Sequence, residues 1–468
     1  MTEQQDARPP AEPPPTTARA VPIRVVPKAA FVDDVEQRIG RARIFDSRLL
    51  HPHVLSALKL VVVTPLLALT LRQIDVLPGG LTLAVILFLV FGALDALDGV
   101  VARVRGLESD FGRVFDRVCD LPLVLLIAWF AADVLPVPLV VGKLALDVVL
   151  LLLFVLKRTT TENRIRTSLS DATLLAMLLV SQGAGQPFVS VDVVEALLVV
   201  NIAFSAFIGL VNAGALRKRF IADGLSLMNA VCGGFSIALA LDGQPAWCLL
   251  LLLVGAGFDG VDGAAARKWG GTRFGVLADD VADGISYALA PAVAVAVVVQ
   301  GRAGIVLGFA YAVFTIGRLV YFTLNKGSPD DDPRFFRGVP STIGGVVVLC
   351  AAILFADEPA LVGFLCGVAV VLMVGFDSAY RHLGRVLFGL RREKQIAALV
   401  GAVVLLASSA LLGPRVAAGL LLSGSLLYGF MPQIVRFYQI IQRKTTTTPT
   451  TTPDGSQPPE SPPIILDQ

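Results

Sequence analysis

Apolar positions along this 468-residue chain come in long blocks. A bilayer core about 30 Å thick needs roughly 20 apolar residues of helix. Blocks near that length fall at 54–73, 80–102, 113–132, 137–156, 171–184 and 190–212, the fifth being the shortest. A second series follows at 222–241, 246–266, 276–299, 303–324, 342–356, 360–377, 395–412 and 416–434. The expected fold class is all-α, a polytopic membrane protein. Polar sequence brackets the blocks. Residues 1–30 are Pro-rich (RPPAEPPPTT), lack the apolar core of a signal peptide, and read as a disordered tail. Residues 31–50 mix apolar and charged positions at helical spacing. That suits an amphipathic helix on the membrane surface, and equally a solvated helix covering the first domain. The Thr/Pro-rich stretch 445–468 has too little apolar surface to fold and reads as a second disordered tail.

Composition agrees with the blocks. The chain is 55% hydrophobic and 16% charged, with a mean hydropathy of +0.74, which excludes a soluble globular enzyme. A net charge of +2 makes no electrostatic case for nucleic acid. Cys119, Cys232, Cys248, Cys350 and Cys366 all sit in apolar runs without a CxxC, so they imply neither disulfides nor a thiolate metal site. Lys and Arg cluster in alternate loops: Arg38 to Arg48, Arg103 to Arg113, Lys157 to Arg166, and Arg217 to Arg219. Arg72, Arg302 and Arg415 are the exceptions. The positive-inside rule then places both termini on the cytoplasmic side of the cell membrane.

Within this apolar background four aspartates stand together in FGALDALDGVVARVRGLESDFGRVFDRVCD, residues 91–120. The skeleton is Asp95-x2-Asp98-Gly99-x2-Ala102-Arg103-x8-Gly112-x3-Asp116-x3-Asp120. It returns as Asp259-x2-Asp262-Gly263-x2-Ala266-Arg267-x7-Gly275-x3-Asp279-x3-Asp283, one residue shorter. A repeat offset of 164 residues is a duplicated domain, since stacked repeats use far shorter periods. With six spans in the first half, both copies take the same orientation. That is a parallel duplication, not an inverted repeat.

Each aspartate pair, three or four residues apart, lies on one helix face. One pair ends a spanning helix and the other begins the next, so four carboxylates converge near the cytoplasmic face. An aspartate deep in a membrane helix costs about 2.5–3.5 kcal/mol, so eight unpaired ones approach roughly 20 kcal/mol. A divalent cation offsets both that cost and the mutual repulsion. Oxygen ligands without His or Cys favour Mg²⁺, Mn²⁺ or Ca²⁺ over zinc. Two such ions would suit displacement at phosphorus. Gly99, Ala102, Gly263 and Ala266 leave room for a ligand beside the aspartates. Gly112 and Gly275 open the next helix, whose N-terminus favours an anion. Arg103 and Arg267 offer guanidinium groups to a phosphate. Small residues in membrane helices normally serve close packing, but packing explains neither the aspartates nor the repetition. Lys143 and Asp147, four apart in one span, are expected to pair.

At these residues the sequence resembles the CDP-alcohol phosphatidyltransferase family, whose signature is DxxDGxxARx8GxxxDxxxD. The first copy matches every fixed position, and the second matches with its single deletion. The resemblance implies two tandem six-helix membrane domains, 51–215 and 216–444, with about two extra C-terminal helices. It implies Mg²⁺ or Mn²⁺ held by Asp95, Asp98, Asp116 and Asp120, and by Asp259, Asp262, Asp279 and Asp283. Asp120 and Asp283 would also act as general bases. The Gly, Ala and Arg positions would cradle CDP, and an alcohol would displace CMP from a CDP-linked lipid such as CDP-diacylglycerol.

The second half is similar to phosphatidylserine synthases at DGLSLMNAVCGGFSIALAL (223–241), DGISYALAPA (283–292) and 317–345, which implies serine as its acceptor. Tyr321 and Thr323 depart from that pattern, which usually has Arg and Asn there. HPHVLSALKL (51–60) is similar to the family's opening motif, with Lys59 in place of the usual Arg. Nothing names the first copy's acceptor. Arg164, Arg166, Arg318, Arg334 and Arg337 are candidates to bind an acceptor or lipid phosphate, and equally are positive-inside anchors. Three readings compete with two active transferases: one catalytic and one degenerate or nucleotide-binding copy, an aspartate-rich prenyltransferase, and a divalent-cation transporter; a homodimer is compatible with any of them. The prenyltransferase does not account for the Gly, Ala and Arg positions. The transporter does not account for aspartates at the membrane surface.

Overall fold

The computed structural model describes residues 51–74, 76–107, 109–157, 164–181, 189–325, 335–375, 379–381 and 413–446. The expected tail 1–30, the segment 31–50, the span 395–412 and the chain beyond Thr446 lie outside these residues. Among the described residues the first copy is a run of six helices: α1 (Pro52–Arg72), α2 (Gly80–Val104), α3 (Asp110–Ala131), α4 (Val137–Lys157), α5 (Arg164–Ser181) and α6 (Val191–Ala213). The second repeats the run: α7 (Ile221–Leu241), α8 (Pro245–Trp269), α9 (Arg273–Asp283, continuing to Val299), α10 (Gly301–Asn325), α11 (Ser341–Leu354) and α12 (Pro359–Val370, continuing to Gly375). A final helix, α13 (Pro414–Thr446), runs two residues into the stretch expected to be a tail. Among the described residues nine helices are long and apolar enough to cross a membrane. The protein is a multi-pass membrane protein.

Local chemistry sets the boundaries that matter for the site. The helices that begin with the second aspartate pair are capped alike. Ser109 and Thr272 adopt extended backbone and accept the N–H of Gly112 and Gly275, each at 2.9 Å. Gly270, at φ +84°, ends α8 in a conformation that a side chain would strain. Two helices carry π-helical turns beside the aspartates: Lys59–Val63 in α1 and Gly284–Leu289 in α9. Such turns recur at functional sites, because they re-aim side chains within an otherwise regular helix.

The two copies share their packing. Leu239 and Leu251 of the second copy join the apolar core of the first. A further cluster combines Val200, Phe204 and Ile208 of α6 with Leu225, Met228 and Phe258. Phe204 meets Phe258 edge to face at 5.5 Å, and Phe207 fills the space over Gly224 that a Cβ would occupy. Without a hydrophobic drive inside lipid, this fit of large residues over small ones holds the helices together. Among the described residues the exception to the all-α expectation is small. Phe335–Arg337 (β1) pairs antiparallel with Ala379–Arg381 (β2), Phe336 opposite Tyr380. Tyr380 donates to the Gly429 carbonyl of α13 at 2.7 Å, fastening the ribbon to the last helix.

Candidate active site

In each copy the first helix, the end of the second and the start of the third bring four aspartates together. In the second copy, oxygens of Asp259, Asp279 and Asp283 lie within 4.8 Å of one another. Asp262, buried, accepts from Ser226 of α7 at 2.8 Å. Asp283 accepts from the Asn229 amide at 3.1 Å, and Asp259 from Tyr287 at 3.4 Å. These three carboxylates therefore meet neutral donors. The Oδ1 of Asn229 is buried without a hydrogen-bond partner, an orphan acceptor beside the cluster. The clustered carboxylates form an all-oxygen donor set of the kind hard divalent cations take, while the Asn229 Oδ1 faces Gly255.

The first copy is built on the same frame. Oxygens of Asp95, Asp116 and Asp120 again lie within 4.8 Å of one another. Ser56 of α1 is 3.0 Å from Asp98 and 3.3 Å from Asp116, matching Ser226. Three residues on, however, the first copy has Lys59 where the second has Asn229. The Lys59 Nζ stands 2.6 Å from Asp95, 2.7 Å from Asp116, 3.0 Å from Asp120 and 3.2 Å from Asp98. Its side chain is 0% exposed.

The remaining expected residues fall in distinct places. The guanidinium groups of Arg103 and Arg267 lie back over Gly99 and Gly263, 3.4 Å from where a Cβ would stand. Ala102 and Ala266 are half-buried on the same helices. The absent Cβ atoms of Gly112 and Gly275 make room for the first helix: a Cβ would come within 3.0 Å of His53 and 2.7 Å of Asp223 respectively. Because Ser109 and Thr272 already accept these glycines' N–H groups, those N–H groups are not offered to an anion.

Lys143 and Asp147 form the expected pair, extended by Ser170 at 3.0 Å from Lys143 and Arg166 at 4.0 Å from Asp147. Arg166, Arg117 and Asp171 line a cavity of about 430 Å³ that also reaches Asp95 and Asp120. Arg318 is buried against Ser341 (3.5 Å) and the Phe322 ring (4.6 Å), with Nε left unpartnered. Thr323, one of the departures noted above, donates to Asp280 at 2.7 Å. Arg164 opens α5 and Arg337 lies in β1, while Arg334 is outside the described residues.

Sequence reasoning missed Ser56, Ser226, Asn229, Asp223 and Tyr287, and the position of Lys59 among the aspartates. Aligning the two first helices against each other would have exposed the exchange, since Ser56 and Ser226 precede Lys59 and Asn229 by the same three residues.

Comparison with known proteins agrees with this duplicated geometry. The sequence matches the CDP-alcohol phosphatidyltransferase family twice, over residues 49–207 and 219–376. The chain belongs to the CDP-alcohol phosphatidyltransferase family. That is a family of transferases acting on a CDP-alcohol and an acceptor alcohol. The chain is 30% identical over 141 residues to the CDP-diacylglycerol–serine O-phosphatidyltransferase of Mycobacterium leprae, covering 29% of this chain and 47% of that protein. It is 33% identical over 131 residues to the archaetidylserine synthase of Methanothermobacter thermautotrophicus, covering 27% and 54%. The Mycobacterium tuberculosis serine O-phosphatidyltransferase is 26% identical over 140 residues, covering 29% and 49%. The chain thus spans about half the length of the curated relatives it matches.

Proposed function

We propose that the second copy transfers the phosphatidyl group of CDP-diacylglycerol to L-serine and releases CMP. The observation that carries this reading is the cluster of Asp259, Asp262, Asp279 and Asp283, framed by Ser226, Asn229 and Tyr287. The relatives named above, and the resemblances at 223–241, 283–292 and 317–345, support serine as the alcohol. The four aspartates would hold Mg²⁺ or Mn²⁺, which when bound offsets the negative charge of the diphosphate and of the departing CMP.

The residues of the chain take the other roles. Asp283 is placed by the Asn229 amide at 3.1 Å and accepts the proton of the serine hydroxyl. The serine oxygen forms its bond to the lipid-bearing phosphorus as the bond from that phosphorus to the CMP oxygen breaks. Arg267, exposed on α8 with its guanidinium over Gly263, would offer that group to a phosphate. Arg318, buried with an unpartnered Nε, is placed to bind the serine carboxylate or a lipid phosphate. The basic loops support a cytoplasmic position for both sites and both termini at the cell membrane.

The test is an alcohol panel. The full chain in nanodiscs, supplied with CDP-diacylglycerol and Mg²⁺ or Mn²⁺, should release CMP when L-serine is added. No release with any alcohol would refute the transferase reading, and release with another alcohol but not serine would refute the acceptor.

A further inference from the structure

The two carboxylate clusters share one frame and differ in what fills it. The Lys59 ammonium has three protons, and its three hydrogen bonds go to Asp95 (2.6 Å), Asp116 (2.7 Å) and Asp120 (3.0 Å). These are the three aspartates whose oxygens are grouped closely enough to hold a metal ion. The fourth, Asp98, is 3.2 Å from the same nitrogen. A positive group therefore already occupies the point on which the carboxylates converge.

Its position is built in from several directions. Lys59 starts the π-helical turn of α1, and its carbonyl accepts from Thr64 at 2.9 Å, fixing the backbone from which it reaches. The ammonium also sits 5.3 Å from the centre of the Phe91 ring. A divalent ion at the same centre, with metal–oxygen distances of about 2.0–2.6 Å, would have to expel the ammonium. The expelled charge would then lie buried in apolar helix packing without its acceptors, which is strongly unfavourable. In the second copy the neutral Asn229 stands in this place, spends one N–H on Asp283, and leaves its oxygen free to be satisfied.

We propose that Lys59 is the resident cation of the first copy, so that this copy excludes divalent metal and the chain holds metal in its second copy alone. The proposal rests on the metal reading of the second copy only for the comparison between them. The first copy then keeps the cavity beside Asp95 and Asp120 without the ion that the second copy uses.

Metal counting tests it without reference to activity. The full chain in nanodiscs is stripped with EDTA and titrated with Mn²⁺, with free Mn²⁺ read by its EPR signal. Asp279→Asn should remove nearly all tight binding. Lys59→Asn, which gives the first copy the second copy's residue, should raise bound Mn²⁺ at saturation about twofold; Lys59→Met is the parallel variant. The proposal is overturned if Asp279→Asn retains about half the bound Mn²⁺ of the parent chain, or if folded Lys59→Asn and Lys59→Met bind no more than the parent. If neither lysine variant folds, the Asp279→Asn count decides alone. A parent chain that binds no Mn²⁺ would refute the metal reading of the second copy, and the lysine variants would then decide for the first.

Discussion

Placing the first copy's lysine in the second copy is the sharpest perturbation the duplication offers. In Asn229→Lys the shared frame of Ser56 and Ser226 sets the expected geometry. The first copy shows an ammonium settling 2.6–3.2 Å from all four carboxylates. An ion bound by Asp259, Asp279 and Asp283 would then lie about 4 Å from a positive charge. Unit charges at that distance interact by about 4 kcal/mol at an effective dielectric of 20, so a single and a double charge repel by about 8 kcal/mol. Partial exposure of the cluster and bending of the long side chain halve this to about 4 kcal/mol, a loss of about a thousandfold in metal affinity. Mn²⁺ affinity and serine-dependent CMP release should fall together. The metal-free protein should resist heat better than its parent, because the lysine relieves repulsion among four carboxylates. That opposite movement separates charge exclusion from misfolding. A folded Asn229→Lys protein whose Mn²⁺ affinity stays within about threefold of the parent would refute the reasoning.

Three further outcomes follow from individual residues. Asp283→Asn keeps the shape of the side chain but removes the proton acceptor, so serine-dependent turnover should fall by about 10²–10⁴-fold; turnover within a few-fold of the parent would assign the base elsewhere. Gly233→Ala would place a Cβ 2.9 Å from backbone atoms of Ser286 and should cost about 1–3 kcal/mol, lowering the unfolding temperature. Gly234→Ala, next to it with nothing within 4 Å, should not, and equal effects would contradict the packing of α7 against α9. Leu107→Cys adds an exposed thiol between α2 and α3, against a background of five buried cysteines. A membrane-impermeant maleimide should label it in inside-out vesicles and not in intact cells; the reverse would overturn the cytoplasmic placement.

The helices and the aspartates were legible in the sequence for different reasons. The apolar blocks are long because the bilayer sets their length, so expected spans such as 137–156 and 190–212 coincide with Val137–Leu156 and Val191–Ala213, whereas the blocks expected at 342–356 and 360–377 fall on shorter apolar helices, Ser341–Leu354 and Pro359–Gly375. The aspartates were legible because carboxylates in apolar helices demand an explanation, and their repetition supplied one. The short β1–β2 ribbon was not legible, since three-residue strands carry no usable alternation and their pairing spans a long separation in sequence. Nor was the role of Gly112 and Gly275. A glycine at a helix start does not show in sequence that it also makes room for a side chain, as these do for His53 and Asp223. Lys59 was visible as a substitution of one base for another. Its convergence with residues 36 to 61 positions away appears only once α1, α2 and α3 are packed together.

The central question is whether the second copy makes a serine lipid. Radiolabelled L-serine, CDP-diacylglycerol and Mg²⁺ or Mn²⁺ are incubated with the full chain and with Asp279→Asn, and the chloroform-soluble product is identified by mass spectrometry. Label in phosphatidylserine with the parent chain, matched by CMP release and absent from Asp279→Asn, is the predicted result. Equal incorporation by both proteins, or CMP release with no serine in the lipid, would contradict it.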